Sequence, residues 1–260
     1  MAAFLMTVYV LWLRELKRFL REKTRILTML GQPLLYLLVM GQGLRTTFRI
    51  DIEGFDYLSF IYPGVIGMSV LFTAMFSSVS IIWDREFGFL KEVLVAPVPR
   101  SAIAVGKALG GSTTAVLQGT ILLILAPVAG LHIHAAQIAL LLPLMFLLAF
   151  AITSFGTLVA ARTETMEGFH MIMNFLIMPL FMLSGAFFPV SSAPAWMQPL
   201  MKMDPVAYGV DAFRNVLYTG AGTAAKNFAV AFPLGLDVAV LLGFAALMVA
   251  LGMLAFTRTE

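Results

Sequence analysis

Long apolar runs dominate this sequence and restrict what it can fold into. A helix that crosses a membrane needs about 20 mostly apolar residues. Runs of about that length lie at 26–44, 58–83, 103–129, 136–161, 169–188 and 229–256. Because 60% of the 260 residues are hydrophobic and only 12% are charged, the composition excludes a soluble globular domain. The sequence therefore predicts an all-α polytopic membrane protein with six transmembrane helices.

The basic residues favour one orientation of these helices. If six spans are present, most of the 17 Lys and Arg residues lie in segments on the same side of the membrane as the N-terminus. Because Lys and Arg are enriched in cytoplasmic segments, we expect both termini in the cytoplasm. The segments around 84–100 and 162–168 are then cytoplasmic as well. The net charge of +3 is small, and its placement beside apolar runs predicts no nucleic-acid partner.

The first 25 residues have a basic amphipathic pattern. Trp12, Leu16 and Phe19 recur at helical spacing, whereas Arg18 and Arg21 fall mostly on the other side. Helices of this composition lie in the plane of the membrane interface. We therefore expect an interfacial helix that contacts membrane lipids and leads into the first span. It acts either as a simple topogenic anchor or also as a contact for a partner.

A charged interruption at 83–107 separates the second and third runs. Three of its apolar residues lie at i, i+3 and i+7 spacing, while charged residues such as Asp84 fall elsewhere on the helical wheel. These apolar residues are Phe87, Leu90 and Leu94. The pattern predicts a short amphipathic helix at about 84–96, which Pro97 would end. A soluble partner could bind such a helix and displace it. An ordinary cytoplasmic loop accounts for the same spacing more simply.

The segment at 184–220 is apolar but is broken by prolines. Because proline disrupts the interior of a helix, this segment cannot form one straight helix. Its aromatic residues suit a membrane interface, so we expect two short helices at about 189–220 that dip back into the outer leaflet. Asp204 or Pro205 would begin the second one. Backbone of this kind is tolerated at membrane depth only where protein or water covers it, as at a subunit interface or a substrate exit.

Several kinds of chemistry lack the residues that they require. The sequence has no G-x-x-x-x-G-K-[ST] phosphate-binding loop, because Gly106-Lys107 is followed by Ala108. We therefore expect no ATPase site and no cofactor in this chain, which is not predicted to be an enzyme. No Ser, His and Asp residues fall on a plausible common site. His132 and His134 are two metal ligands without a third, so no metal site is predicted.

Asp237 interrupts the sixth apolar run. A carboxylate in hydrocarbon is costly unless it is paired or hydrated. One interpretation is an ion or proton site. The other is a structural residue, one or two turns from the outer end of its helix, that reaches polar neighbours such as Arg214.

Two segments of the chain carry a resemblance to a known family. The first consists of Glu86-Phe-Gly88 with Leu90 and Leu94, then Pro97-Val-Pro99-Arg100-Ser101 and Gly106-Lys107. The second consists of Leu183-Ser-Gly185-Ala-Phe-Phe-Pro189, Pro194-Ala-Trp196, Asp204-Pro205-Val-Ala-Tyr208 and Asp211-Ala-Phe-Arg214. With six spans and an N-terminal interfacial helix, the chain resembles, over nearly its full length, the membrane subunit of ABC-2 type ATP-binding-cassette exporters. One departure is Asp204, where the family often has Asn.

The resemblance implies a transport complex in a bacterial or archaeal cytoplasmic membrane. Two membrane subunits pair, as a homodimer or with a related permease, and two copies of a soluble P-loop ABC ATPase bind ATP and Mg. Family members export drugs, lipids, glycolipids or polysaccharide chains. Residues 1–25 would form the interfacial helix and residues 26–260 the transmembrane domain. The second and fifth membrane helices would line the substrate path.

The resemblance also implies two functional regions. The helix at about 84–96 would be a coupling helix in a groove of the ATPase. Its assigned residues are Asp84, Glu86, Phe87, Gly88, Leu90, Leu94 and Pro97. The short helices at about 189–220 would form an outer gate. Its assigned residues are Gly185, Phe187, Phe188, Pro189, Trp196, Pro205, Tyr208 and Arg214.

Two functions of other classes remain as alternatives. An ion-coupled secondary transporter would use Asp237 and would need no partner ATPase. A membrane assembly factor would move no substrate at all.

Overall fold

The structure, a computed structural model, is helical almost throughout the residues that it describes, which are 2–43, 52, 55–87, 99–129, 131, 133–220 and 222–257. No β-strand occurs among these residues. The helices are α1 (Ala2–Arg21), α2 (Lys23–Gly43), α3 (Tyr57–Ser77), α4 (Val79–Glu86), α5 (Arg100–Leu125), α6 (Ala135–Arg162), α7 (Met166–Leu183), α8 (Gln198–Met203), α9 (Pro205–Leu217), α10 (Thr223–Ala229) and α11 (Leu234–Thr257). The prediction of an all-α protein is confirmed for this part of the chain.

Within the described ranges, 5 helical segments are long and apolar enough to cross a membrane. They are Tyr57–Glu86, Arg100–Leu125, Ala135–Arg162, Met166–Leu183 and Thr223–Ala255. They correspond to the second to sixth predicted spans, so the chain is a multi-pass membrane protein. The first predicted span is helical as part of α2, but its apolar stretch, Ile26–Met40, is shorter than the roughly 20 residues that a span requires. The count of six spans therefore stays a prediction.

Three long helices form the centre of the bundle. α3, α5 and α6 contact one another, while α11 packs on α6, α2 on α3 and α1 on α5. Most of α3 is buried, including Phe60, Ile66 and Met75. Because lipid is as apolar as these side chains, the helices associate through close packing and polar contacts rather than through a hydrophobic driving force. The polar contacts at the two ends of the bundle are therefore important for holding particular helices together.

The short helix α9 lies inside the bundle rather than on its surface. It contacts α3, α6 and α11, and every residue from Pro205 to Val216 is buried. Asp204 caps the helix, since its Oδ1 accepts a hydrogen bond of 2.9 Å from the Val206 N–H. Pro205 occupies the first helical position, where its missing N–H costs nothing. The predicted start of the second short helix is therefore confirmed, and α8 is the first.

Candidate functional site

A buried cluster of charged side chains joins three helices at one end of the bundle. Lys107 of α5 donates to Glu15 Oε1 of α1 and to Asp84 Oδ2 of α4, each at 2.5 Å, and to Ser80 Oγ at 3.1 Å. Arg14 donates to the other oxygen of Asp84. Lys107 and Asp84 are each 4% exposed and Glu15 is 8% exposed. We call Arg14, Glu15, Asp84 and Lys107 the ion cluster. Its two acids and two bases neutralise each other, as burial requires.

Two glycines of α5 allow α1 to approach closely enough to form this cluster. A Cβ atom at Gly110 would lie 2.7 Å from the Cβ of Glu15, and one at Gly106 would lie 3.0 Å from the Cβ of Leu11. The two glycines are four residues apart and lie on one face of α5. Small residues at this spacing let membrane helices approach through their backbones. The sequence thus places an acid of α1 directly over a lysine of α5.

Polar and aromatic contacts extend the attachment of α1. Trp12 Nε1 donates to Thr113 Oγ1 at 2.9 Å. The Arg18 guanidinium lies 4.1 Å from the centre of the Trp83 ring, and its Nε donates to Glu22 at 3.1 Å. The remaining residues predicted for this helix are Phe19, which is buried, Leu16, which is half-buried, and Arg21, which is exposed. The N-terminal helix therefore packs on the bundle as well as presenting an outer face.

The coupling residues assigned from the sequence fall into separate groups. Asp84 belongs to α4, which continues the second span to Glu86, and its carboxylate is buried in the ion cluster. Its side chain is therefore enclosed by the bundle rather than exposed on a loop helix, and its role in coupling stays a prediction. Glu86 and Phe87 are exposed. Gly88, Leu90, Leu94 and Pro97 lie outside the described residues.

A second attachment links the end of α4 to the end of α6. Arg85 Nη1 donates to the Thr163 carbonyl at 2.5 Å, and Arg85 Nη2 donates to the Ala161 carbonyl at 3.2 Å. The last carbonyls of a helix lack intrahelical partners, so a guanidinium satisfies them well. With the ion cluster, this contact ties the residues just before the 88–98 segment to α1, α5 and α6.

Sequence reasoning missed Glu15. It lies four residues from Leu11 and four from Phe19, both of which are buried. An acid within the apolar stripe of a helix indicates a buried basic partner, because an unpaired buried charge is unstable. The sequence thus indicates that Glu15 has a basic partner, but the identity of this partner depends on which helix packs against α1. Lys107 carried the matching signal as a lysine within the long apolar helix α5.

At the other end of the bundle, Arg214 of α9 holds the turn that follows α7. Its Nη2 donates to the Gly185 carbonyl at 2.7 Å and approaches the Ala186 carbonyl at 3.4 Å. The guanidinium lies 4.1 Å from the centre of the Phe60 ring. Gly185 has a φ of 71°, a conformation that glycine adopts without a Cβ penalty. We call residues 184–189 the outer turn.

The same helix holds the segment before α11. The Asp211 carboxylate accepts hydrogen bonds of 2.8 Å from the N–H groups of Ala231 and Phe232. Asn215 Nδ2 donates to the Phe232 carbonyl at 3.0 Å and to Asp237 Oδ2 at 3.1 Å. Asp237 is fully buried. Asp237 thus reaches a polar neighbour, as one of the two interpretations expects, but this neighbour is Asn215 and not Arg214.

The other residues assigned to the outer gate lie around these contacts. The Tyr208 hydroxyl donates to the Lys202 carbonyl at 2.7 Å, and Tyr57 donates to the Phe187 carbonyl at 3.3 Å. Phe187 packs edge to face on Phe181, with ring centres 4.9 Å apart. Of the remaining assigned residues, Phe188 is half-buried, Pro189 and Pro205 are buried, and Trp196 is exposed. The structure thus brings most of the set together around α9.

A cavity of about 290 Å³ lies between α2 and α3. It is lined by Thr28, Gln32, Pro33, Met68, Ser69, Phe72, Thr73 and Phe76. Gln32 is exposed near the middle of α2, and Asn174 is exposed near the middle of α7. Polar side chains at mid-depth in membrane proteins face protein or water rather than lipid. We call the cavity with its lining residue Gln32 the polar membrane face.

Known proteins resemble this chain over most of its length. A family model described as ABC-2 type transporter matches residues 6–218, which include the ion cluster and α9. The putative transport permease ycf38 of Cyanophora paradoxa is 28% identical over 214 residues, which are 81% of this chain and 74% of the relative. The inner membrane transport permease YadH of Escherichia coli (strain K12) is 27% identical over 211 residues, covering 78% of this chain and 80% of the relative. Nodulation protein J of Rhizobium leguminosarum bv. viciae is 30% identical over 195 residues, covering 74% of each.

Proposed function

The chain belongs to the ABC-2 type transporter family, and we propose that this membrane transport permease is the membrane subunit of an exporter driven by ATP hydrolysis on a separate ABC ATPase. The permease itself is not an ATPase. The proposal includes two copies of the ATPase, which bind ATP and Mg, and a second copy of this chain or a related permease. The complex resides in a bacterial or archaeal cytoplasmic membrane with both chain termini in the cytoplasm.

The observation that carries this proposal is the ion cluster. Asp84 is buried between Lys107 and Arg14, at the start of the predicted coupling helix at about 84–96. Because buried ion pairs break at a high cost, a displacement of that segment moves α4, α1 and α5 together rather than bending the chain locally. ATP-driven closure of the ATPase dimer would thus reach the membrane helices as a rigid-body motion.

The exposed residues beside the cluster provide the contact with the ATPase. Glu86 and Phe87 end α4, and Phe87 is 83% exposed. An aromatic ring with this exposure at the cytoplasmic end of a span is available to fill an apolar pocket in a partner protein. The residues that contact the ATPase would therefore begin at Glu86, two residues later than the sequence pattern suggests.

The substrate path would follow the polar membrane face. Gln32 would face the second permease across the path, together with the hydroxyl-lined cavity between α2 and α3. α9 and the outer turn would close the path on the far side. Because α9 is held to that turn and to the segment before α11, it can act as one rigid cap. The mixed apolar and hydroxyl lining favours amphipathic cargo.

Ion coupling through Asp237 is the second candidate function. One oxygen of Asp237 lacks a hydrogen-bond partner among the described residues, as an ion or proton site would. The bond from Asn215 supports a structural role instead. Asp237→Asn distinguishes the two functions. Loss of gradient-driven transport in this variant would support ion coupling, whereas unchanged ATP-dependent export would exclude ion coupling.

The proposal is tested by reconstituting the chain with the ABC ATPase that co-purifies with it in mild detergent. Phe87→Glu should abolish co-purification and substrate-stimulated ATP hydrolysis. Met203→Glu is a matched control, because Met203 is 80% exposed on the opposite side of the bundle and should tolerate the same change. Normal ATPase binding by both variants would contradict the coupling assignment. Absence of transport in vesicles that contain both proteins would favour an assembly factor.

A further inference from the structure

The outer face of α1 changes character along its length. Its N-terminal half exposes apolar side chains, including Leu5, Met6 and Tyr9. Its C-terminal half exposes Lys17 and Arg21. These two residues are four positions apart and are therefore neighbours on the helix surface. The free face is thus an apolar stripe that ends in a pair of cations.

Lys17 and Arg21 differ from Arg14 and Arg18 in having no acidic partner among the described residues. Arg14 is held by Asp84 in the ion cluster, and Arg18 is paired with Glu22 at 3.1 Å. Within the ranges that the structure describes, neither Lys17 nor Arg21 forms an ion pair. Two adjacent like charges repel each other, so an external anion would stabilise the pair.

A groove of about 710 Å³ runs along this face. It is lined by Val10, Leu13, Arg14, Lys17, Arg18, Arg21 and Glu22. The groove therefore offers an apolar wall beside several donors for an oxyanion. The carboxylates near it, Glu22 and Asp84, are each already bound to an arginine. The uncommitted charge in the groove is positive.

We propose that this groove binds the phosphate of an anionic phospholipid, with Lys17 and Arg21 on the phosphate and the lipid's acyl chain along the apolar N-terminal half of α1. The inference rests on the proposed cytoplasmic and interfacial position of α1. A lipid fits better than a free anion or a protein, because only a lipid supplies a negative headgroup and a long apolar chain to one helix face. Each basic residue near an anionic membrane surface contributes to such binding. The bound lipid would anchor α1, and through it the ion cluster, to the bilayer.

The test measures lipids that remain bound to the full chain. The purified chain is mixed with equal amounts of phosphatidylglycerol and phosphatidylcholine, and retained lipids are identified by native mass spectrometry. We expect the wild type to retain phosphatidylglycerol, and the double variant Lys17→Gln/Arg21→Gln to lose that preference by roughly tenfold to thirtyfold. Lys17→Arg/Arg21→Lys keeps both charges and should behave as the wild type does.

Lys202→Gln/Lys226→Gln is the matched control, since both lysines are exposed and lie at the outer end of the bundle. An unchanged preference in Lys17→Gln/Arg21→Gln overturns the proposal, as does an equal loss in the control. Displacement of the lipid by inorganic phosphate at equal concentration overturns it in favour of a free-anion site. If the lipid preference is unchanged but ATPase co-purification is lost, the face binds protein instead. Because the lipid measurement uses neither ATP nor the ATPase, its failure is distinct from failure of the exporter proposal.

Discussion

Replacing Lys107 by methionine should destabilise the whole bundle, although the two side chains have similar length. The substitution leaves Asp84 paired with Arg14, but it leaves Glu15 buried without a counter-ion. Removing one partner of a buried ion pair costs roughly 3–5 kcal/mol. We expect a value near the lower end, about 3 kcal/mol, because Glu15 keeps 8% exposure. For a chain of this size, that corresponds to a melting temperature lower by roughly 6–12 °C.

A second substitution separates the charge effect from the loss of packing. Glu15→Gln in the Lys107→Met background removes the unpaired charge and leaves the pair of Arg14 and Asp84 intact. Because neutral groups are far cheaper to bury than an unpaired carboxylate, the double variant should regain more than half of the lost stability. Such a double-mutant cycle isolates the interaction between the two side chains.

Tryptophan fluorescence during unfolding in mild detergent provides the measurement. The chain has 3 Trp residues, and Trp12 and Trp83 both contact residues beside the ion cluster. A Trp196→Phe background therefore reports the cluster directly. Lys202→Met, at an exposed lysine, is the control and should change stability by less than about 0.5 kcal/mol.

Two results would refute this reasoning. One is a Lys107→Met variant whose stability lies within about 1 kcal/mol of the parent, which would mean that solvent reaches the site freely. The other is a double variant that is as unstable as the sum of its single changes. Additivity would show that Lys107 and Glu15 do not interact.

Three further predictions concern the other contacts. Gly110→Val should separate α1 from α5, because the valine side chain would collide with that of Glu15. The free energy of unfolding should fall by roughly 1–3 kcal/mol in the same assay, and an unchanged value would contradict the close approach of the two helices. Arg214→Gln should release the outer turn and speed its proteolysis, whereas Arg214→Lys should have a smaller effect; unchanged cleavage would contradict its role. Burial raises the pKa of Asp204 from 3.8 to about 8, so the folded chain holds a proton that the unfolded chain loses. Stability should therefore fall as pH rises between these two values. Asp204→Asn should weaken this dependence without removing it, because burial also raises the pKa of Asp211, and a pH series of melting temperatures checks both expectations.

The membrane helices were predictable from the sequence because their signals are local. Length and apolar content define a span without reference to its neighbours, and four of the predicted runs, from the third to the sixth, overlap single long helices of the structure. The start of α9 was equally local, since Asp204 and Pro205 supply the cap and the first helical position. Cap and proline preferences act within a few residues.

Partners across the bundle were not predictable in this way. Arg214 and Asn215 are consecutive on α9, so they point about 100° apart around the helix. Which of them faces Asp237 depends on the rotation of α9 about its axis. In the structure, Arg214 instead donates to carbonyl groups of the outer turn. Likewise, the second span was expected to end before Asp84, because charged residues terminate apolar runs. It continues because Lys107 neutralises that carboxylate, and that contact depends on a helix more than 20 residues further along the chain.

The contacts of α9 with its surroundings have a consequence for how the outer surface can evolve or be redesigned. Arg214 binds carbonyl groups of the outer turn, and Asp211 binds the N–H groups of Ala231 and Phe232. These partners are main-chain atoms, which every residue supplies whatever its side chain. Two turn residues are exceptions: Gly185, whose backbone conformation favours glycine, and Ser184, whose hydroxyl donates to the Phe181 carbonyl and accepts from the Ala186 N–H. The other turn residues can thus be exchanged without loss of these hydrogen bonds. Chimeras that carry outer turns from other permeases should accordingly fold on an unchanged α9, which makes this turn a suitable place to test the proposed gate.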